Sequence, residues 1–198
     1  MVITYHGDNY FRFQAGNTVA LLDPTNVRSL KGAAVVLHTI SPAIVVTQGR
    51  EGVFSIEHQG EYQAGGITIR GWHIGFTDIF EKKREQTVYR VSFGDITLAL
   101  PGFLKGEIRP EILGELKGAD VLIIPGCGKP WIAPRLAAEY VRELEPGIVI
   151  PSLFTNAKEL AGFLQELNQK DAKLEEKLAI KQKDISPKGM QIQCLKPQ

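Results

Sequence analysis

Short apolar runs and alternating stretches dominate the first hundred residues. Tyr10-Phe11-Arg12-Phe13-Gln14 alternates apolar and polar positions, the pattern of a strand with one face in a core and the other toward water. Val19-Ala20-Leu21-Leu22 is a continuous apolar run ending at Asp23-Pro24, and Ala15-Gly16-Asn17 between the two has hairpin-turn chemistry. Ala34-Val35-Val36-Leu37 and Ile44-Val45-Val46 are short, apolar and bounded by turn residues, which predicts strands buried on both faces. Ile67-Thr68-Ile69-Arg70 and Val88-Tyr89-Arg90-Val91 alternate again, the first stopping at Gly71. Ile96-Thr97-Leu98-Ala99-Leu100 closes the series at Pro101-Gly102.

The period changes in the second half. A helix is predicted over 109–116, with Pro110 in its first turn and Gly118 beyond its end. Val121-Leu122-Ile123-Ile124 is a buried strand. A second helix over 134–144 carries Leu136, Tyr140, Val141 and Leu144 on one stripe and stops where Pro146-Gly147 forbids continuation. Ile148-Val149-Ile150 is again a strand. Asn156 followed three residues later by Glu159 is a capping-box pattern, with Leu160, Phe163, Leu164 and Leu167 as the buried face behind it. Residues 169–188 interleave Lys with Asp and Glu, the pattern of a solvated helix face, and 190–195 alternates as a final strand.

The segment from Tyr10 through Pro24 and the segment from Val88 through Gly102 share one layout: an alternating strand, a Gly turn, then an apolar strand running into a proline loop. Two such hairpins, each followed by further elements, suggest two packed halves. Each sheet must bury its apolar face, so the expected layering is two sheets face to face with helices outside, residues 1–198 forming one domain.

Composition narrows the function classes. The 198 residues are 43% apolar and 23% charged, which is globular chemistry. The formal net charge of +1 disfavours non-specific nucleic-acid binding. No apolar run approaches the roughly 18 residues that span a bilayer. The N-terminus shows no charged-then-apolar secretory pattern. Two cysteines, Cys127 and Cys194, are too few for a disulfide scaffold, so a reduced, cytoplasmic protein is expected.

Several segments then carry a resemblance. Ile3-Thr4-Tyr5-His6-Gly7-Asp8-Asn9-Tyr10-Phe11, Leu22-Asp23-Pro24, Gly60-Glu61-Tyr62, residues 66–71, Asp120 through Pro125, Leu144 through Pro151, Leu178 through Lys181 and Asp184 through Gly189 resemble small metallo-β-lactamase-fold hydrolases, the bacterial and archaeal zinc-dependent group. The resemblance spans nearly the whole chain. It implies an αββα sandwich with its site along one edge of the two sheets.

The metal motifs of that family are altered here. Where the resemblance implies His-x-His-x-Asp-His, the chain reads His38-Thr39-Ile40-Ser41-Pro42-Ala43, so Ile40, Pro42 and Ala43 stand at three ligand positions. Where it implies His-x-Gly-Asp, Leu100-Pro101-Gly102-Phe103 keeps only the glycine. Leu153, after Pro151-Ser152, stands at the last histidine, and Asp8 stands where the opening histidine belongs, with His6 two positions earlier. An inner histidine aligns near Phe76. A catalytic zinc takes about three His, Asp or Glu ligands plus an open position for water, and aliphatic or phenyl side chains have no lone pair to give.

Other groups carry weaker signals. His6, Asp8 and His38 are the candidates for a rebuilt metal site, His6 and Asp8 sharing a side if the chain is extended there. Asp23 has the strand-end position of a residue that accepts backbone hydrogen bonds. Trp72, His73 and Phe76, with Asp78, could form a stacking surface on a loop beyond Gly71, and His58 sits in a polar hairpin as a solvated group. Cys127, in Gly126-Cys127-Gly128-Lys129-Pro130-Trp131 between a strand and a helix, is the candidate nucleophile or redox thiol. The expectation is a metallo-β-lactamase-fold protein without the usual metal ligands, serving as a non-catalytic binding or assembly module, with Ile40, Pro42, Ala43, Leu100, Phe103 and Leu153 at the altered pocket. No cofactor is expected. The sequence does not reveal a partner; a second copy or another protein is the candidate, and neither a membrane nor nucleic acid is expected. The alternative is a hydrolase with a rebuilt site that takes zinc or manganese.

Overall fold

The computed structural model of the chain describes residues 1–47, 51–126, 128–169, 173–185 and 189–198. β1 (Val2–Tyr5), β2 (Phe11–Ala15) and β3 (Thr18–Leu22) form an antiparallel meander. A 3-10 turn (Val27–Leu30) leads to β4 (Val35–Leu37), which pairs parallel to β3. β5 (Ile40–Ser41) leaves this sheet for the other one, and β6 (Phe54–Ile56) returns to pair parallel to β4. The second sheet is built from antiparallel β7 (Gly60–Ala64), β8 (Ile67–Ile79), β9 (Lys82–Phe93) and β10 (Ile96–Leu100). Helical crossovers extend it in parallel: α1 (Pro110–Leu116) to β11 (Val121–Pro125), then α2 (Pro134–Leu144) to β12 (Ile148–Ser152). After α3 (Ala157–Glu166) come four two-residue strands, β13 (Leu174–Glu175), β14 (Leu178–Ala179), β15 (Gln191–Ile192) and β16 (Cys194–Leu195). The sheets run β14-β1-β2-β3-β4-β6 and β15-β12-β11-β10-β9-β8-β7, with β5 also on β9, and β13 pairs β16.

The alternation along each strand decides the layers. Phe11, Phe13, Leu22 and Leu37 of the first sheet face Ile69, Tyr89, Val91, Leu98, Ile123 and Ile150 of the second in one buried core. Fully burying a side chain of that size contributes about 1.5–3 kcal/mol, so this core is the dominant stabilising element. On the far side of the second sheet, Leu122, Ile124 and Val149 pack under Ile112 and Leu116 of α1 and Ala137 and Val141 of α2. On the far side of the first, Leu21 and Val36 are covered by Leu30, Ala33 and Val45, from the 3-10 turn and the stretch after β5. The result is the layered α/β sandwich that the resemblance implies, with a thin outer layer over its first sheet.

Several expectations change. Ile44-Val45-Val46 is not a strand: β4 already has β3 on one side and β6 on the other, and of the three residues only Val45 is buried. The strands expected to stop at Gly71 and start at Val88 run on as a long hairpin, with a register shift between His73 and Gly75 where Gly75 takes φ +136. The expected loop at Trp72 to Asp78 is therefore strand. Of the stretch expected to be helical, residues 173–185 form β13, β14 and a 3-10 turn (Gln182–Asp184), while 170–172 and 186–188 lie outside the described residues. The last alternating run divides at Gln193, β15 joining β12 and β16 joining β13. α3 starts as expected: Asn156 Oδ1 accepts from the N–H groups of Lys158 (3.0 Å) and Glu159 (3.1 Å), while Glu159 reaches back to Thr155 N (2.8 Å).

Candidate functional site

The loops after β1, β3, β4, β10 and β12 meet at one edge of the sandwich, and Asp23 organises them. It is 2% exposed, and its carboxylate accepts from Thr39 N (2.8 Å), Thr39 Oγ1 (2.6 Å) and Asn9 Nδ2 (2.7 Å). Burial pushes its pKa up to about 6, against the pull of those three donors toward the ionised form. Thr39 fits only because residue 102 is glycine: a Cβ there would lie 2.2 Å from the Thr39 side chain, and Gly102 has φ +71. The Thr39 carbonyl accepts from Thr87 N (3.0 Å), tying this loop to β9.

His38 points away from any shared centre. It is buried, its Nε2 is 3.1 Å from Thr47 Oγ1, and Thr47 in turn contacts Ser55 Oγ. Burial lowers its pKa to about 4, so the ring is neutral at pH 7. Its carbonyl accepts from Tyr89 Oη (3.0 Å).

Apolar side chains fill the space beside these loops. Ile40, Ile79, Phe103 and Leu153 form a buried cluster with Trp131 packed on it. Phe103 and Trp131 lie 5.3 Å apart between ring centroids, and Phe80 meets both rings edge-on. The hairpin tip is strapped down over this cluster. Arg84, 6% exposed, donates to the carbonyls of Ile79 (3.2 Å) and Pro42, and Gln86 Nε2 donates to Phe103 O (2.6 Å). Leu153, at φ +58, is held by its N–H on the Asp8 carbonyl (2.9 Å). Of the six residues expected at the altered pocket, Ile40, Phe103 and Leu153 meet here. Leu100 belongs to the core between the sheets, while Pro42 is exposed and Ala43 half-buried.

The candidate ligands do not converge. The chain is not extended at 6–8 but turns, with Gly7 at φ +93 and Asp8 at φ +50. His6 stacks on Tyr10 at 4.5 Å and lies 3.2 Å from Thr4 Oγ1, while Asp8 is exposed. Among the described residues, no three His, Cys, Asp or Glu side chains are grouped so as to hold a metal ion. Asn9 Oδ1 and Ser152 Oγ are buried at this edge with no hydrogen-bond partner among the described residues, yet two neutral oxygens are poor substitutes for the imidazoles zinc requires. The described residues at this edge therefore do not offer the donor set that a metal ion of this fold takes. Cys127 lies outside the described residues.

A cluster the sequence reading missed lies on the hairpin. Glu85 Oε1 is 3.1 Å from His73 Nδ1 and its Oε2 is 3.4 Å from His58 Nδ1, so His58 is paired and not merely solvated. Glu85 is cross-strand from Phe76 and adjacent in sequence to buried Arg84, and nothing in a run of seven charged or polar residues, 81–87, marked these two for different faces. His73 also meets Phe76 edge-on at 5.1 Å, bringing two of the three expected stacking residues together, whereas Trp72 lies under Arg70 (5.2 Å).

Comparison with known proteins agrees with this architecture. Residues 2–152 match the family described as the beta-lactamase superfamily domain. No curated protein matches the chain. A proposed Zn-dependent hydrolase of the metallo-beta-lactamase superfamily from Thermotoga maritima superposes with a TM-score of 0.76 at 19% identity, covering 98% of this chain and 99% of that one. The metallo-beta-lactamase fold protein YhfI from Bacillus subtilis gives 0.66 at 12% identity, with 98% and 95% covered. Igni18, a metallo hydrolase from Ignicoccus hospitalis, gives 0.65 at 15% identity, with 91% and 99% covered. At these identities the structures attest the fold alone, and the family match covers most of the chain: the protein belongs to the beta-lactamase superfamily domain family.

Proposed function

We propose that this chain is a metal-free, non-catalytic member of its family and works as a binding or assembly module, residues 1–198 acting as one unit in the cytoplasm. The observation that carries this reading is the packed cluster of Ile40, Ile79, Phe103 and Leu153 at the sandwich edge. A divalent ion there would have to displace four aliphatic or aromatic side chains, none of which has a lone pair to replace its hydration shell. The neutral, buried His38 already faces Thr47. Among the described residues no helix is long and apolar enough to cross a membrane.

The competing reading, a hydrolase with zinc or manganese held by His6, Asp8 and His38, draws support from the metal-dependent hydrolases among the fold's neighbours. It requires three groups that now face different surroundings to turn toward one point. Thermal unfolding with added metal separates the two. A native site at a hundredfold excess over its dissociation constant stabilises by about 2.7 kcal/mol, several degrees in Tm for a chain of this size. The module reading expects no shift with zinc or manganese. A saturable rise that His38→Gln abolishes would overturn it.

A further inference from the structure

We propose that an internal water bridges Asn9 Oδ1 and Ser152 Oγ at the edge of the sandwich and ties the loop after β1 to the end of β12. The inference rests on the metal-free reading above and names what occupies this edge instead of an ion.

Both oxygens are buried and unpaired. Asn9 is 1% exposed and Ser152 0%, and neither Asn9 Oδ1 nor Ser152 Oγ has a hydrogen-bond partner among the described residues. The amide of Asn9 is oriented by its other end, where Nδ2 donates to Asp23 Oδ2 at 2.7 Å. An ionised carboxylate only accepts, so the amide oxygen must face away from Asp23. A buried oxygen left in this state forfeits its hydration, and folded proteins satisfy nearly all such groups with protein atoms or ordered water.

The backbone brings the two residues together. The Leu153 N–H donates to the Asp8 carbonyl at 2.9 Å, so the peptide unit joining residues 8 and 9 lies against the one joining 152 and 153. Standard bond lengths then hold the Cα atoms of Asn9 and Ser152 within roughly 8 Å of each other. Their side chains enter the same layer. Ile148 and Ile150 of β12 face the core between the sheets, while Pro151 lies beside Gly126 and Phe163 on the far face. Two-residue alternation turns Ser152 inward again. Asn9 reaches Asp23, which holds Thr39 against Gly102 just beyond β10. One water bonded at about 2.8 Å to each oxygen spans a pair so placed.

The chemistry of the two oxygens selects the occupant. Asn9 Oδ1 only accepts and the Ser152 hydroxyl accepts or donates, so the bridging group must bring a donor of its own. A hard cation would need several more oxygens. The neighbouring Asp8 carbonyl is already committed to Leu153 N and to Tyr5 Oη (2.9 Å). Water meets the requirement at the smallest volume. The segments it joins are those in which Asp8 and Leu153 stand at histidine positions of the resemblance. Hydrogen bonds through the water thus link two segments that an ion would link by coordination.

The test is a crystal structure of untagged protein purified without chelator, at a resolution that shows ordered water, together with water-oxygen relaxation dispersion in solution. Ser152→Ala serves as the variant, because it removes the hydroxyl and leaves the backbone bonds of residues 152 and 153 in place. The expected result is a fully occupied water within hydrogen-bond distance of both oxygens. Ser152→Ala should lose that water from the crystal and one long-lived water from the dispersion profile, and its urea midpoint should fall. A direct bond between the two side chains, or a pair without water, would overturn the proposal and leave the metal-free reading standing. So would a Ser152→Ala midpoint equal to or above the parent's, the outcome of deleting an unpaired hydroxyl. An anomalous-scattering peak from a metal at this position would overturn both.

Discussion

Asp23 and His38 make opposite contributions to stability across the same pH range, and substituting one should unmask the other. The Asp23 pKa is raised from 3.8 to about 6, so its contribution is fully present below pH 3.8 and is lost as pH rises through 6. The His38 pKa is lowered from 6.5 to about 4, so its contribution is present above pH 6.5 and is lost as pH falls through 4. At about 1.4 kcal/mol per pH unit, each displacement is worth about 3 kcal/mol, and between pH 4 and 6.5 the two nearly cancel. In Asp23→Asn only the His38 dependence remains. The stability of that variant relative to the parent should therefore fall by about 3 kcal/mol from pH 7 to pH 4. In His38→Gln the relative stability should rise by a similar amount over the same descent. The assay is urea unfolding at half-unit pH steps for the three proteins. Lost hydrogen bonds around Asp23 shift the whole curve of Asp23→Asn, so the readout is the slope of the difference, not its level. Taking differences also cancels the carboxylates common to all three. Parallel pH curves would refute the assignment of two oppositely buried charges, and a sign reversed in either variant would do the same.

Two substitutions test the edge itself. Phe103→Ala removes a fully buried ring from contact with Ile40, Ile79 and Leu153 and should cost about 3–5 kcal/mol in urea unfolding; a loss under about 1 kcal/mol would mean that the edge is loosely filled. Gly102→Ala places a Cβ 2.2 Å from the Thr39 side chain at φ +71 and should cost about 2 kcal/mol or more, reduced when combined with Thr39→Gly, which removes the clashing Cβ; equal cost in both backgrounds would show that the contact is not the cause.

Where local pattern and tertiary context agreed, the fold was legible in advance. α2 lies over Pro134–Leu144 as its apolar stripe and flanking prolines demand, and the β2–β3 and β9–β10 hairpins fall one in each sheet, as the repeated strand-Gly-strand layout suggested. Context prevailed elsewhere. Ile44-Val45-Val46 has strand composition but no open sheet edge to join. Residues 173–195 form strands of two residues whose existence depends on edges supplied from both ends of the chain, such as β1 for β14 and β12 for β15. The hairpin's length was hidden by Gly71, which reads as a strand end, and by Gly75, whose irregularity reads as a loop in one dimension and is a bulge in three.

The site was half legible. Asp23 at a strand end was readable as a backbone acceptor, and Thr39 N indeed donates to it. Ile40, Phe103 and Leu153 were named by resemblance to a metal pocket, and they do pack together. Ile79, the fourth member, could not be found that way, because it arrives from the hairpin tip and not from a metal motif. Nor could the Arg84 strap, whose acceptor Pro42 is 42 residues away in the chain.

The most direct test of the account is the metal content of untagged protein purified without chelator, by elemental analysis. Because a native site of three or four ligands holds zinc tightly, the account predicts less than about a tenth of an equivalent of zinc, manganese or iron per chain. One or two equivalents that survive dialysis would contradict it.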